Sequence, residues 1–159
     1  MNPFFLEYKV IDNNITYYII YVFISNISLK IVSVYVINPY SHTILNYNAS
    51  IEPEQIFSNV SGNAIYYHLN GNKILAYSSD NGKIIVAYNG LILKKENYNS
   101  IMCLVSAHYP GISNSTFPNL DKLAGISLFN NSYTVLGSVM ALLFSLILFR
   151  IVTRGDRKL

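Results

Sequence analysis

Residues 65–95 read IYYHLNGNKILAYSSDNGKIIVAYNGLILKK, four short apolar runs separated by Asn70-Gly71, Asn81-Gly82 and Asn89-Gly90 at nearly even spacing. Asn-Gly readily places both central residues of a two-residue turn at positive φ, as a type I′ hairpin requires, so IYYHL, KILAYSS, KIIVAY and LILKK are expected to form an antiparallel meander. Upstream, Leu6, Tyr8 and Val10 alternate with Glu7, Lys9 and Ile11; ITYYIIYVFIS follows, and then LKIVSVYVIN, stopped by Pro39. These read as three successive strands, the second buried on both faces because its apolar run is continuous. SIMCLVSAHY, ending before Pro110-Gly111, is the last strand. Eight or so strands with no convincing soluble helix predict an all-β fold, an immunoglobulin-like antiparallel sandwich over residues 1–110, with a polar linker at 111–131.

At 159 residues the chain suits one domain and an accessory segment. Hydrophobic residues make up 52% and charged residues 12%, about half the charged fraction of an average soluble domain, which places part of the chain in lipid. The net charge of +3 is localised. Residues 1–132 carry seven Lys (Lys9, Lys30, Lys73, Lys83, Lys94, Lys95, Lys122) against seven acids (Glu7, Asp12, Glu52, Glu54, Asp80, Glu96, Asp121), so the excess sits in Arg150, Arg154, Arg157 and Lys158 against Asp156. A nucleic-acid partner is not expected, because such a binder clusters basic residues on its folded domain to neutralise phosphates. Cys103 is the single cysteine and has no intramolecular disulfide partner.

From Leu123 to Phe149 no residue is charged, and Tyr133–Phe149 (YTVLGSVMALLFSLILF) is apolar apart from Thr134, Ser138 and Ser145. With Arg150 snorkelling and Ile151 and Val152 continuing the helix, the stretch at 132–152 reaches about 20 residues, the length of a membrane span. The alternative, a buried core helix, fits poorly with the sequence RIVTRGDRKL that follows. Lys and Arg near the ends of a span set its orientation, and four lie on the carboxyl side, so the tail at 153–159 is expected in the cytoplasm and the domain outside. ITYYIIYVFI is too short and too β-branched for a signal-peptide core; export then needs a start further upstream or the terminal helix acting as a reverse anchor. N-x-S/T sequons occur at Asn14, Asn26, Asn48, Asn59, Asn114 and Asn130, where roughly three would arise by chance, each in or beside a predicted turn where a glycan could project. Within the span, Gly137, Ala141 and Ser145 recur at i, i+4 and i+8, a small-residue stripe that lets helices approach closely.

The run EYKVIDNNITYYIIYVFISNISLKIVSVYVINPY resembles the opening strands of immunoglobulin-like domains in archaeal cell-surface and pilus-associated membrane proteins, whose strands end in N-x-S/T-x-x-x-V-x-V-Y-V-x-x-P. That resemblance covers about a quarter of the chain and implies a surface-exposed β-sandwich. Many such proteins carry an amino-terminal helix, whereas the apolar stretch here is carboxyl-terminal.

Chemistry-bearing residues are sparse. Cys103 and His108, with His68 or His42 upstream, is the one arrangement suggesting a blue-copper site, but the Met expected shortly after the second His is missing. Strict alternation places Cys103 with Val105 on the core face and Met102 opposite, which makes Cys103 a buried apolar thiol. Glu52 and Glu54 flank Pro53 in a solvated loop, and no G-x-S-x-G, H-E-x-x-H or P-loop is present. The expectation is therefore a non-enzymatic, single-pass membrane-anchored surface glycoprotein without cofactor, a binding or structural ectodomain or an accessory subunit of an envelope complex. Its partners are the lipid bilayer and another membrane or envelope protein. The alternatives are a cupredoxin-like redox subunit of a membrane complex, with or without copper, and a cytosolic tail-anchored adaptor.

Overall fold

A computed structural model describes residues 3–23 and 32–126. The chain is all-β and antiparallel in these residues. The strands are β1 (Phe5–Asp12), β2 (Ile15–Phe23), β3 (Val32–Asn38), β4 (Thr43–Ala49), β5 (Asn63–Leu69), β6 (Asn72–Ser79), β7 (Ile84–Ala87), β8 (Ile92–Glu96), β9 (Ser100–Tyr109) and β10 (Ser113–Asn114), followed by one turn of helix, α1 (Leu120–Leu123). Met1–Gly125 forms one compact unit. Residues 127–159, and with them the expected span, the tail, Asn130, Gly137, Ala141 and Ser145, lie outside the described residues, as does Asn26. Among the described residues no helix is long and apolar enough to cross a membrane.

The strand order is β4-β3-β2-β1-β9-β8-β7-β6-β5, with β10 beside β9. The described strands thus follow one continuous antiparallel path. Each strand pairs with its sequence neighbour, except where β4 gives way to β5, and β1 and β9 join the two meanders. Where the connection is a two-residue turn, the next strand has nowhere to go but back beside its predecessor. Asn13 and Asn14, both at positive φ, connect β1 to β2, and Asn70 and Gly71 connect β5 to β6 in the same way. The other two Asn-Gly turns differ from expectation. Asp80, Asn81 and Gly82 are all at positive φ, in a four-residue connection between β6 and β7 that Lys83 completes. At Asn89-Gly90 only Gly90 has positive φ; the Gly90 N–H donates to the Ala87 carbonyl at 2.9 Å and the Ala87 N–H to the Leu91 carbonyl at 2.8 Å. That pattern is a type I turn closed by a glycine bulge.

One face of the sheet carries Leu6, Tyr8 and Val10 of β1, Phe23 of β2, Val32 and Val34 of β3, Ile74 and Ala76 of β6, Leu104 and Ala107 of β9, together with Ile51 and Ile56 from the β4–β5 connection. All belong to a single buried cluster, so the sheet curls until its two halves face one another across that core. Two phenols serve carbonyls inside this core, and the first of them crosses from one half to the other. The buried Tyr8 hydroxyl donates to the Ile92 carbonyl at 2.9 Å, and the Tyr67 hydroxyl reaches the Leu93 and Leu104 carbonyls at 3.4 and 3.3 Å. They are needed because β8 pairs with β9 only over Lys94–Glu96. Beyond that point β8 turns to the β4–β5 connection, where the Ile92 N–H donates to the Ile56 carbonyl at 2.9 Å, while β9 turns to β10. Freed carbonyls inside a core require donors, and the two tyrosines supply them.

The opposite face of β1, β2 and β3 holds a second, smaller core of Phe5, Ile20 and Ile37, covered by the segment expected to be a linker. Phe117 meets Phe5 edge-on, with centroids 5.3 Å apart, and Ala124 is fully buried. Asn119 caps α1 by accepting from the Lys122 N–H at 3.0 Å, and His42 Nδ1 lies 2.8 Å from the Ala124 carbonyl oxygen. Residues 111–125 are thus part of the domain. Their polar sequence concealed four apolar contacts, Phe117, Leu120, Leu123 and Ala124, placed at the spacing of a single helical turn.

Candidate functional site

A cavity of about 540 Å³ opens on the inner side of the curl, between β1–β4 and the β8–β9 connection. That volume falls within the ordinary range of small-molecule sites. Its position follows from the alternation of each strand. Val10 pairs with Tyr17, Tyr21 with Val34, Val34 with Tyr47 and Lys95 with Met102, so all seven side chains leave the inner face. Val10, Val34 and Ile51 are buried, whereas Tyr47 is half exposed, so the apolar part of the lining is the deeper one. Asp12, Gln55, Lys95, Asn97 and Ser100 add donors and acceptors. The two charges are opposite, which leaves the lining neutral.

Burial raises the Tyr17 phenol above its ordinary value, and the Asp12 carboxylate raises it further. Tyr21 is raised by burial first, then by Tyr47 and Tyr17. These phenols stay protonated at neutral pH and can both donate and accept. The lining contains no His or Cys, and its serines, Ser50 and Ser100, have no imidazole beside them to act as a base. The arrangement is suited to reversible binding of a neutral, partly apolar molecule.

Cys103 stands elsewhere and faces the other way from expectation. It lies opposite Lys9 of β1 and Lys94 of β8, on the outer face, while Met102 and Leu104 join the main core. A bulge explains the correction: Glu7 pairs with Ser106 but Tyr8 with Leu104, so Val105 is an extra residue that reverses the alternation along β9. Burial raises the Cys103 thiol; Lys94 and Lys9 pull it down and Glu96 pushes it up, leaving the balance above the ordinary value. Lys94 is itself paired with Glu96 at 2.9 Å. His108 stacks on Phe4 with centroids 5.1 Å apart, its Nδ1 buried without a hydrogen-bond partner among the described residues, and His42 holds α1. Among the described residues no three His, Cys, Asp or Glu side chains converge as a metal site.

Of the sequon asparagines, Asn14, Asn48, Asn59 and Asn114 are exposed. Asn14 is in the β1–β2 turn and Asn59 in the loop before β5, but Asn48 is within β4 and Asn114 within β10, not in turns. Glu52 and Glu54 are exposed beside the 3₁₀ turn Pro53–Gln55. The cleft tyrosines were not singled out in the sequence. Their signal was the spacing of Tyr17, Ile19 and Tyr21, which places two phenols on one side of β2. Comparison of the chain with protein-family models, curated proteins and solved structures finds no match.

Proposed function

We propose that this is a non-enzymatic surface protein held in the membrane by one helix at 132–152, with its β-domain outside, its basic tail at 153–159 in the cytoplasm, and the tyrosine-lined cleft as its binding surface. The observation that carries the proposal is the uncharged run Tyr133–Phe149, followed by four basic residues within ten positions. The exposure of Asn14, Asn59 and Asn114, away from the β4 edge, supports it, since glycans there would meet solvent. The domain resembles immunoglobulin-like ectodomains, on this proposal, in presenting a ligand surface on a curled antiparallel scaffold, and not in strand order. In a host with N-glycosylation, at least one of the exposed sequons should be modified. Replacing Arg150, Arg154, Arg157 and Lys158 by neutral residues should yield a mixture of glycosylated and unglycosylated chains, as orientation becomes mixed. A wild-type chain that receives no glycan in membranes that modify a control protein would favour the cytosolic tail-anchored adaptor.

A further inference from the structure

We infer that the β4 edge is a self-association surface, on which two copies of this chain pair their β4 strands antiparallel about Asn46. Among the described residues β4 ends the sheet order, bonded to β3 on one side only. A free strand edge presents a row of unpaired N–H and C=O groups, and proteins that avoid pairing blunt it with charges, proline, a bulge or a very short strand. β4 has none of these. It is seven residues long, TILNYNA, without charge or proline, and its register with β3 runs unbroken from Thr43 to Ala49.

Side chains on the same strand point to the same occupant. Leu45 is 61% exposed and Tyr47 51% exposed, on one face of a strand whose neighbours are already packed. Antiparallel pairing about Asn46 sets Leu45 opposite Tyr47 of the partner subunit and Tyr47 opposite Leu45 of the partner subunit, covering both. Thr43 meets Ala49 of the partner subunit, and the two Asn46 side chains meet on the axis. Asn46 Oδ1 accepts from the Ser33 hydroxyl at 2.8 Å, which leaves its amide N–H groups to be donated across the axis. A self-complementary patch of this kind closes as a twofold dimer. Being uncharged, β4 meets a second copy of itself without like-charge repulsion.

The test uses the full-length chain in mild detergent, made without glycosylation because a sugar on Asn48 would project over Ile44 of the partner subunit. On a Cys103→Ala background, Asn46→Cys places two thiols at the axis, where directly opposed Cα atoms in an antiparallel pair lie about 4.5–5.5 Å apart, within disulfide reach. Mild oxidation should convert this variant to a covalent dimer, while Tyr66→Cys, at the centre of the opposite edge strand β5, stays monomeric. In sedimentation, Asn46→Lys should halve the particle mass of the otherwise wild-type protein with its far-ultraviolet spectrum unchanged. A protein that is monomeric throughout, a dimer that survives Asn46→Lys, or a crosslink that forms only between Asn46→Cys and Tyr66→Cys chains would each overturn the inference.

Discussion

Glu7 and Tyr8 are neighbours in β1 whose side chains leave opposite faces of the sheet, and each meets burial differently. Tyr8 is fully buried and has a partner, the Ile92 carbonyl. Tyr8→Phe removes that donor and leaves the carbonyl in an apolar core, so urea unfolding should show a loss of about 1–3 kcal/mol. Glu7 is buried with no salt-bridge partner among the described residues, and desolvation raises its carboxyl above the ordinary glutamate range. A raised folded-state value means that the native state holds the proton more tightly. The resulting stability is fully present below the ordinary glutamate range and is lost as pH rises through the raised value. Glu7→Gln should therefore raise Tm at neutral pH, with the difference from wild type vanishing in acid; a Tm difference independent of pH would contradict the account. Tyr67 behaves in the same sense at the alkaline end. Burial, with a smaller contribution from Cys103, pushes its phenol up to about 12, so the stability tied to that proton is lost as pH rises from about 10 to about 12.

Among the elements, the hairpins were legible wherever two consecutive residues tolerate positive φ. Gly71 and Gly62 separate two reasons for glycine. At Gly71, with φ +80, an added Cβ meets nothing within 4 Å, so Gly71→Ala should cost only backbone strain, about 1–2 kcal/mol. At Gly62, with φ +103, the same Cβ would collide with the Ser78 carbonyl oxygen of the neighbouring strand. Gly62→Ala should therefore be clearly the more damaging in thermal melts, and equal losses would argue against the β5–β6 packing. Other elements were hidden for physical reasons. β4 is an exposed edge strand rich in Asn, so no buried face imprinted an apolar alternation on it. Cys103 faces outward, against the alternation that groups it with Val105, because Val105 is itself the bulged residue of β9. A bulge leaves no mark in hydropathy. The cleft was hidden for a related reason: Tyr17 and Tyr21 belong to a run apolar on both faces, and only pairing with β1 and β3 shows that they face inward.

For the whole molecule, the boundary of the domain is set by what covers Phe5, Ile20 and Ile37. Since Phe117, Leu120, Leu123 and Ala124 provide that cover, a fragment of residues 1–110 should expose an apolar face and aggregate, whereas residues 1–126 should remain soluble and β-rich in far-ultraviolet spectra. Equal behaviour of the two fragments would mean that the second core contributes little. The central claim, a β-domain outside the membrane and a basic tail inside, is tested most directly by labelling intact cells with a membrane-impermeant maleimide. On a Cys103→Ala background, Tyr98→Cys puts a thiol at a position that is 100% exposed in the β8–β9 connection, and Lys158→Cys puts one in the tail. The account predicts that the thiol at 98 is labelled on intact cells and that the thiol at 158 is labelled only after the membrane is opened. Labelling at 158 with protection at 98 would contradict it.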